Sequence, residues 1–533
     1  MPTRRQVLQG IGAAVALSTP LAACSREKDT NSAAKNEAVT LPAYVPYRGV
    51  KADLPSTTSG LLAGYFRYPA HPAAAVKGKP AAGLGEVSAM STDFAAIAPA
   101  VSRNQYWQEL NRRLGADLKL SMVPSTDYDK KISTVVASGD VPDIMGLTFN
   151  VPHRAEMLKA VFADLTEYLS GDNIKEFPFL ANIPTESWKP AVYNGGIYAL
   201  PTPRPPLGNI VYAREDIIAQ KGLNNAPKNY EEFQELCVGL TDERSSHWAM
   251  ANPGEMVRCV QGMLGAPNNW AEKGGKFTNA VEVEETKQAL SLVRELVKKK
   301  VFHPDSFTLE FQNLREMFGA GTIALNFDGF IGWTNFVDVY APDIGGIVPP
   351  LHDGGGYRLF AGPPSLSITA IKKNDGKKVR QLLEVCNWLA APFGTQEYLF
   401  RKFGTEGNQF RWTDGHTTPQ LTESGSTQVT LPLQYLVDAP VILGPGREKL
   451  VRKQYDFQRR AIPAVVKDAS TGLYSDTATE NAADLGTILT DAQTSILQGR
   501  KPVSSWDDAV SDWRSKGGDT IRKELEQAYQ HAH

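Results

Sequence analysis

The sequence lacks any excess of charge. It has 56 basic and 58 acidic residues, a formal net charge of −2. That excludes the electrostatic footprint that nucleic-acid binding requires, and no nucleic-acid partner is expected. Cysteine is scarce too: Cys24, Cys237, Cys259 and Cys386 are the four in 533 residues. So few cannot build a disulfide framework in a chain of this size, which must be held by its core. Beyond Cys24 two arrangements stay open, a Cys237–Cys259 bridge or three buried thiols. The eight histidines are scattered, with no His-x-x-x-His and no Cys-x-x-Cys, which argues against a zinc site. No metal or other cofactor is expected. No apolar run reaches the roughly twenty residues a helix needs to cross a bilayer. There is no Gly-x-Ser-x-Gly elbow, and "GLGEV" opens no helix of the kind a nucleotide loop requires. Internal repeats are absent as well.

What is present begins at the N-terminus, in "TRRQVLQGIGAAVALSTPLAACS". Arg4 and Arg5 stand before an apolar stretch, Gly10–Ala23, closed by small residues, which is the layout of an export signal. Thr3–Leu8 resembles a twin-arginine signal, with Val7 where Phe is usual. Leu21–Cys24 resembles the lipobox of bacterial lipoproteins, so residues 1–24 are expected to be a signal peptide and Cys24 the lipid-attachment (palmitate) site. Two or three acyl chains on one cysteine hold a protein stably at a membrane surface. The chain would then sit on the extracytoplasmic face of the cell membrane. Residues 25–55 are rich in Asn, Ala, Lys and Glu and are expected to form a flexible tether.

About 480 residues remain, too many for one core, which suggests two lobes or more. "GEVSAMST" (Gly85–Thr92) reads as a strand. Ser102–Leu114 puts Trp107, Leu110 and Leu114 on one helical face and stops at Gly115. "DLKLSMV" alternates as a half-buried strand, Tyr128–Ser138 is a helix ended by Gly139, and "DIMGL" is an apolar strand. This succession predicts a parallel sheet. Ligands bind beyond the carboxyl ends of such strands, which points to Thr92, Asp93 and Phe94, and to Thr148, Phe149 and Asn150. Further on, Glu284–Lys299 predicts an amphipathic helix. Phe318–Phe336 reads as a glycine turn, a strand and a loop carrying aromatics, and Val379–Gly404 as helix, break and helix.

The stretch "YDKKISTVVASGDVPDIMGL" (Tyr128–Leu147) resembles extracellular solute-binding protein family 1, the lipoprotein receptors of ABC importers for sugars and oligosaccharides. "FADLTEYL", "YNGGIYALPTPRP", "APKNYEEFQEL", "MFGAGTIAL" and "NWLAAPFGTQEYLFRKFGTEG" follow in the order that family leads one to expect. The resemblance implies an α/β, two-lobed periplasmic-binding-protein-like fold (type II), its lobes joined by crossing hinge strands. Lobe 1 would take residues 56–204 and 366–430, and lobe 2 residues 205–365 and 431–533. It further implies a monomer that is not an enzyme, captures a carbohydrate by hinge closure, and delivers it to ABC permease subunits in the membrane.

A sugar offers a rim of hydroxyls, suited to planar fixed donors and acceptors, and a C–H face, suited to an aromatic ring. Asp328 and Trp333 in "NFDGFIGWTN" form the expected second-lobe pair; Trp333 could instead pack against Phe330 in the core. Arg204 lies near the hinge, and Trp270 on a loop beside Asn268 and Asn269. Glu406 lies in a glycine loop. Asn104 faces the cleft or caps its helix. Asp93 and Thr148 complete the expected set. Two alternatives share these residues: an anchored carbohydrate-active enzyme using Asp328 with Glu406, whose carboxyls would need to stand roughly 5–10 Å apart, and a ligand-sensing surface lipoprotein.

Overall fold

Asn104 and Gly115 bracket the first long helix. The Asn104 side chain accepts the Trp107 N–H at 3.0 Å, and Gly115 takes the left-handed conformation that ends the helix. Between them Gln105–Leu114 buries Tyr106, Trp107, Leu110 and Leu114. The same logic shapes Tyr128–Ser138, ended by Gly139 at φ 78°. These helices separate the strands Glu86–Asp93, Asp117–Pro124 and Ile144–Leu147, which pair in parallel as expected. The computed structural model describes residues 31–57, 60–94, 97–339, 343–413 and 418–532. The export signal and Cys24 lie outside the described residues.

The molecule has two lobes. The first is built on a five-stranded sheet in the order Asp117–Pro124, Glu86–Asp93, Ile144–Leu147, Ser365–Ile371, Leu200–Pro203. Ser365–Ile371 returns antiparallel to both neighbours, so the chain leaves this lobe and re-enters it. Its core gathers residues from 81–200 and 371–437, with Leu110, Trp188 and Leu382 fully buried. The second lobe has a three-stranded antiparallel sheet in which Asn209–Arg214 lies between Leu325–Gly329 and Ile344–Ile347. Its faces are covered by Pro253–Leu264 and Glu284–Lys298 on one side and by Phe311–Ala320 and Glu448–Ala461 on the other. Residues 431–437, assigned to lobe 2 from the sequence, bury Leu431, Leu433 and Leu436 in the first lobe's core.

Two crossing segments run side by side. Arg204 N–H donates to Pro364 O at 3.0 Å, and Gly362 N–H donates to Pro206 O at 3.1 Å. A Cβ on Gly208 would sit 2.7 Å from the Gly362 Cα, so the two segments touch there only because both residues are glycine.

Residues 31–55 are not a free tether. Val45 N–H donates to Ala181 O (2.8 Å) and Tyr47 N–H to Asn182 Oδ1 (2.8 Å), seating the segment on the first lobe. Leu54 then pairs with Gly64 while Leu62 N–H donates to Gln458 Oε1 (3.0 Å) and the Tyr455 hydroxyl donates to Pro55 O (2.9 Å) on the second. By Val76, whose N–H donates to Glu397 at 3.0 Å, the chain is back on the first lobe. Composition misled here because Leu41, Tyr47 and Leu54 are too irregularly spaced for a helix or strand, yet each packs against a core. Cys237, Cys259 and Cys386 are all free thiols, and burial pushes Cys237 and Cys386 up to about 12.

Candidate functional site

Hydroxyls buried in the first sheet position the central ring of the site. Ser91 Oγ donates to Pro432 O (3.0 Å), and Thr369 Oγ1 donates to Leu436 O (2.7 Å). Both side chains are fully buried, so these bonds fix the turn Leu433–Tyr435 against the sheet. Tyr435 is half-buried there, and the exposed ring of Phe94 meets it edge-on with centroids 4.9 Å apart. Phe94 follows directly from the carboxyl end of Glu86–Asp93, where a parallel sheet offers its binding edge.

Tyr435 lies within electrostatic reach of charged groups from both lobes. Burial pushes its phenol up; the Gln434 side chain, Arg204 and Arg315 oppose that, and Asp93 adds to it. Asp93 and Arg204 belong to the first lobe and its crossing. Arg315 comes from the second lobe, on the helix Phe311–Ala320. Its guanidinium grips Asp328 through Nε (2.7 Å) and Nη2 (3.1 Å) and lies 4.3 Å from the centroid of the exposed Phe311 ring. Arg204 is largely desolvated, which lowers its pKa, and its Nη1 donates to Pro203 O at 3.1 Å. Within electrostatic reach of it, Asp438 is held by Arg401 (2.9 Å) and Lys402 (2.8 Å). Burial works to raise the Asp438 carboxyl, but the two cations bring it down to about 2.

Next to the crossing glycines lies a cavity of about 200 Å³. It is bounded by Gly208 and Asn209, by Glu255 and Arg258 of Pro253–Leu264, and by Arg358 and Phe360. The Arg258 guanidinium lies 4.9 Å from the centroid of Phe360 and donates to Asn268 Oδ1 at 2.7 Å. Arg358 Nη2 donates to Ala266 O at 3.2 Å, while its Nε is buried without an acceptor.

Of the residues named from sequence, Asp93 and Arg204 lie within electrostatic reach of Tyr435, and Asp328 is tied to Arg315, which does too. The remaining residues named from sequence sit elsewhere. Asn104 is fully buried, with its oxygen capping its helix and its amide donating to Gln428 O at 3.1 Å. Thr148 lies at the same sheet edge, but its hydroxyl is engaged with Asp129 Oδ1 at 2.5 Å. Trp270 is buried between Phe277 and Trp513 under the C-terminal helices. Trp333 is 1 % exposed and packs on Tyr212, Phe330 and Phe457, so it belongs to the core and not to a ligand loop. The reason is spacing: Phe330, Trp333 and Phe336 recur every third residue, and Trp333–Val339 continues as a helix that turns this face inward. Glu406 is exposed on the loop after Gln396–Phe403, while Asp328 is closed into its ion pair. Sequence reasoning missed Tyr435, Arg315, Arg258 and Arg358. Helical periodicity puts Arg315 one turn from Phe311, but nothing local marked the others. Among the described residues no group of three or more His, Cys, Asp or Glu could hold a metal ion.

Residues 105–400 match the family described as "Bacterial extracellular solute-binding protein". Lipoprotein LipO of Bacillus subtilis (strain 168) is 22% identical over 452 residues, covering 79% of this chain and 88% of that protein. The polygalacturonan/rhamnogalacturonan-binding protein YtcQ of the same organism is 21% identical over 446 residues, with 80% and 88% covered. Among solved structures, alginate-binding protein AlgQ2 superposes with a TM-score of 0.63 at 16% identity, covering 86% of this chain and all of that one. The N-glycan transport protein NgtS of Streptococcus pneumoniae gives 0.62 at 15% identity, with 84% and 99% covered. At these identities the likeness is one of fold.

Proposed function

The chain belongs to the bacterial extracellular solute-binding proteins, and from that premise we propose that it captures an oligosaccharide between its lobes and releases it, chemically unaltered, to an ABC importer. The observation that carries this reading is the edge-on contact of the exposed Phe94 ring with Tyr435 at the carboxyl end of the first lobe's sheet, within electrostatic reach of Asp93 and Arg204 from one lobe and Arg315 from the other. Contacts drawn from both lobes favour the closed form, so a ligand that makes them shifts the open–closed population. The exposed rings of Phe94 and Phe311 offer faces for sugar C–H surfaces, and the polar groups beside them offer partners for hydroxyls. Relatives named as polygalacturonan/rhamnogalacturonan-binding and alginate-binding agree with a saccharide ligand. The carboxylate pair named from the sequence does not favour hydrolysis, since Asp328 is ion-paired with Arg315 and Glu406 is exposed on a loop. In this reading Cys24 carries the lipid, as the relation to a named lipoprotein supports, and the closed form is what the permease recognises.

A thermal-shift screen of mono- and oligosaccharides on protein lacking residues 1–24 tests this. A true ligand at 100 times its Kd adds about 2.7 kcal/mol and raises the melting temperature by several degrees. Tyr435→Ala should abolish the rise, and the ligand should be recovered intact. A cleaved ligand, or an unchanged rise in Tyr435→Ala, would overturn the reading.

A further inference from the structure

We infer that the captured saccharide is acidic, with a carboxylate-bearing ring seated in the cavity between Arg258 and Arg358; this rests on the solute-binding reading above. The cavity is small beside the roughly 300–1,000 Å³ of pockets for drug-sized ligands, so it fits a single ring and not a chain. Three charged side chains bound it: Arg258, Arg358 and Glu255. Two cations against one anion leave it positive. Neither arginine has a carboxylate within ion-pair distance among the described residues. Glu255 and Asp468 act on Arg258 only from farther away, and for Arg358 burial alone shifts the guanidinium, downward. Its Nε–H is buried and finds no acceptor.

An unpaired buried donor on a cation is costly. A neutral sugar would accept hydrogen bonds there but leave the charge uncompensated. A carboxylate does both, because its two oxygens match the planar guanidinium fork. Phe360 beneath Arg258, and Asn268 bonded to it, hold that fork in one orientation before any ligand arrives.

Isothermal titration of protein lacking residues 1–24 with trigalacturonate, a neutral galactotriose and a sulfated trisaccharide decides the matter. Trigalacturonate should bind tightest, and its affinity should fall between 20 mM and 300 mM NaCl, as that of a charged ligand does. Arg358→Gln should weaken it by about tenfold or more while changing neutral-sugar binding by less than about threefold. Arg358→Lys, which keeps the charge but loses the fork, should fall between. Should Arg358→Gln not fold, the salt dependence of the unaltered protein still decides. Galactotriose binding as tightly as trigalacturonate, with no salt dependence, overturns the acidic ligand and leaves solute binding standing. Preference for the sulfated sugar overturns the carboxylate assignment. Absence of binding by saccharides of every kind overturns both.

Discussion

Arg315 and Asp328 form a two-pronged ion pair in which the carboxylate is 6 % exposed and the guanidinium 19 %. The pair joins the helix Phe311–Ala320 to the end of the strand Leu325–Gly329, and it presents the stacked Phe311 ring outward. Arg315→Ala would leave the Asp328 carboxylate buried without its cation, with only the Gly329 N–H donating to it. Breaking such a pair from one side costs about 3–5 kcal/mol, so urea unfolding should show a loss of that order. Adding Asp328→Asn to the same protein should recover part of it, and a strictly additive double variant would speak against direct coupling.

Trp333 separates stability from recognition. Trp333→Ala opens a void among Tyr212, Phe330 and Phe457, and such truncations cost about 3–5 kcal/mol. The variant should melt lower, yet a true ligand should still raise its melting temperature by the same increment. A melting point equal to that of the parent protein would show that the indole is not packed as described.

Asn104 should behave alike on a smaller scale. Its oxygen caps Gln105–Leu114, so Asn104→Ala is expected to cost about 1 kcal/mol while ligand affinity, read by titration, stays the same. A selective loss of affinity would return Asn104 to the cleft.

Asp438 sets a pH window. Its folded-state pKa, about 2, lies below its ordinary value of 3.8. Folding therefore favours the ionised form, and the stabilisation is fully present above pH 4 and is lost as pH falls toward 2. The contribution is on the order of 2 kcal/mol. The stability gap between the parent protein and Asp438→Asn should be constant near neutrality and shrink from about pH 4 downward. A gap that widens on acidification would contradict the assignment.

The first lobe's β–α–β run was legible because its signals are local: the Asn104 cap, the stops at Gly115 and Gly139, and the alternation of Leu118, Leu120 and Met122. The lobed architecture followed from chain length and motif order. The site was legible only in part. Asp93 and Arg204 could be named from a strand end and a crossing, but Tyr435 depends on Ser91 and Thr369, which reach it from distant parts of the chain. Trp333 was misplaced because the three-residue spacing of Phe330, Trp333 and Phe336 continues the strand as a helix and carries the rings inward.

Under the proposed closure, the segment that seats Tyr47 on Asn182 and Leu54 beside Gly64 is a rein on that motion. Seven residue steps of extended chain reach at most about 25 Å, so the lobes can part on that flank only as far as this short span allows. Any wide gape must come from the opposite flank, and lengthening the span with inserted glycines would loosen the whole swing without altering one contact in the pocket.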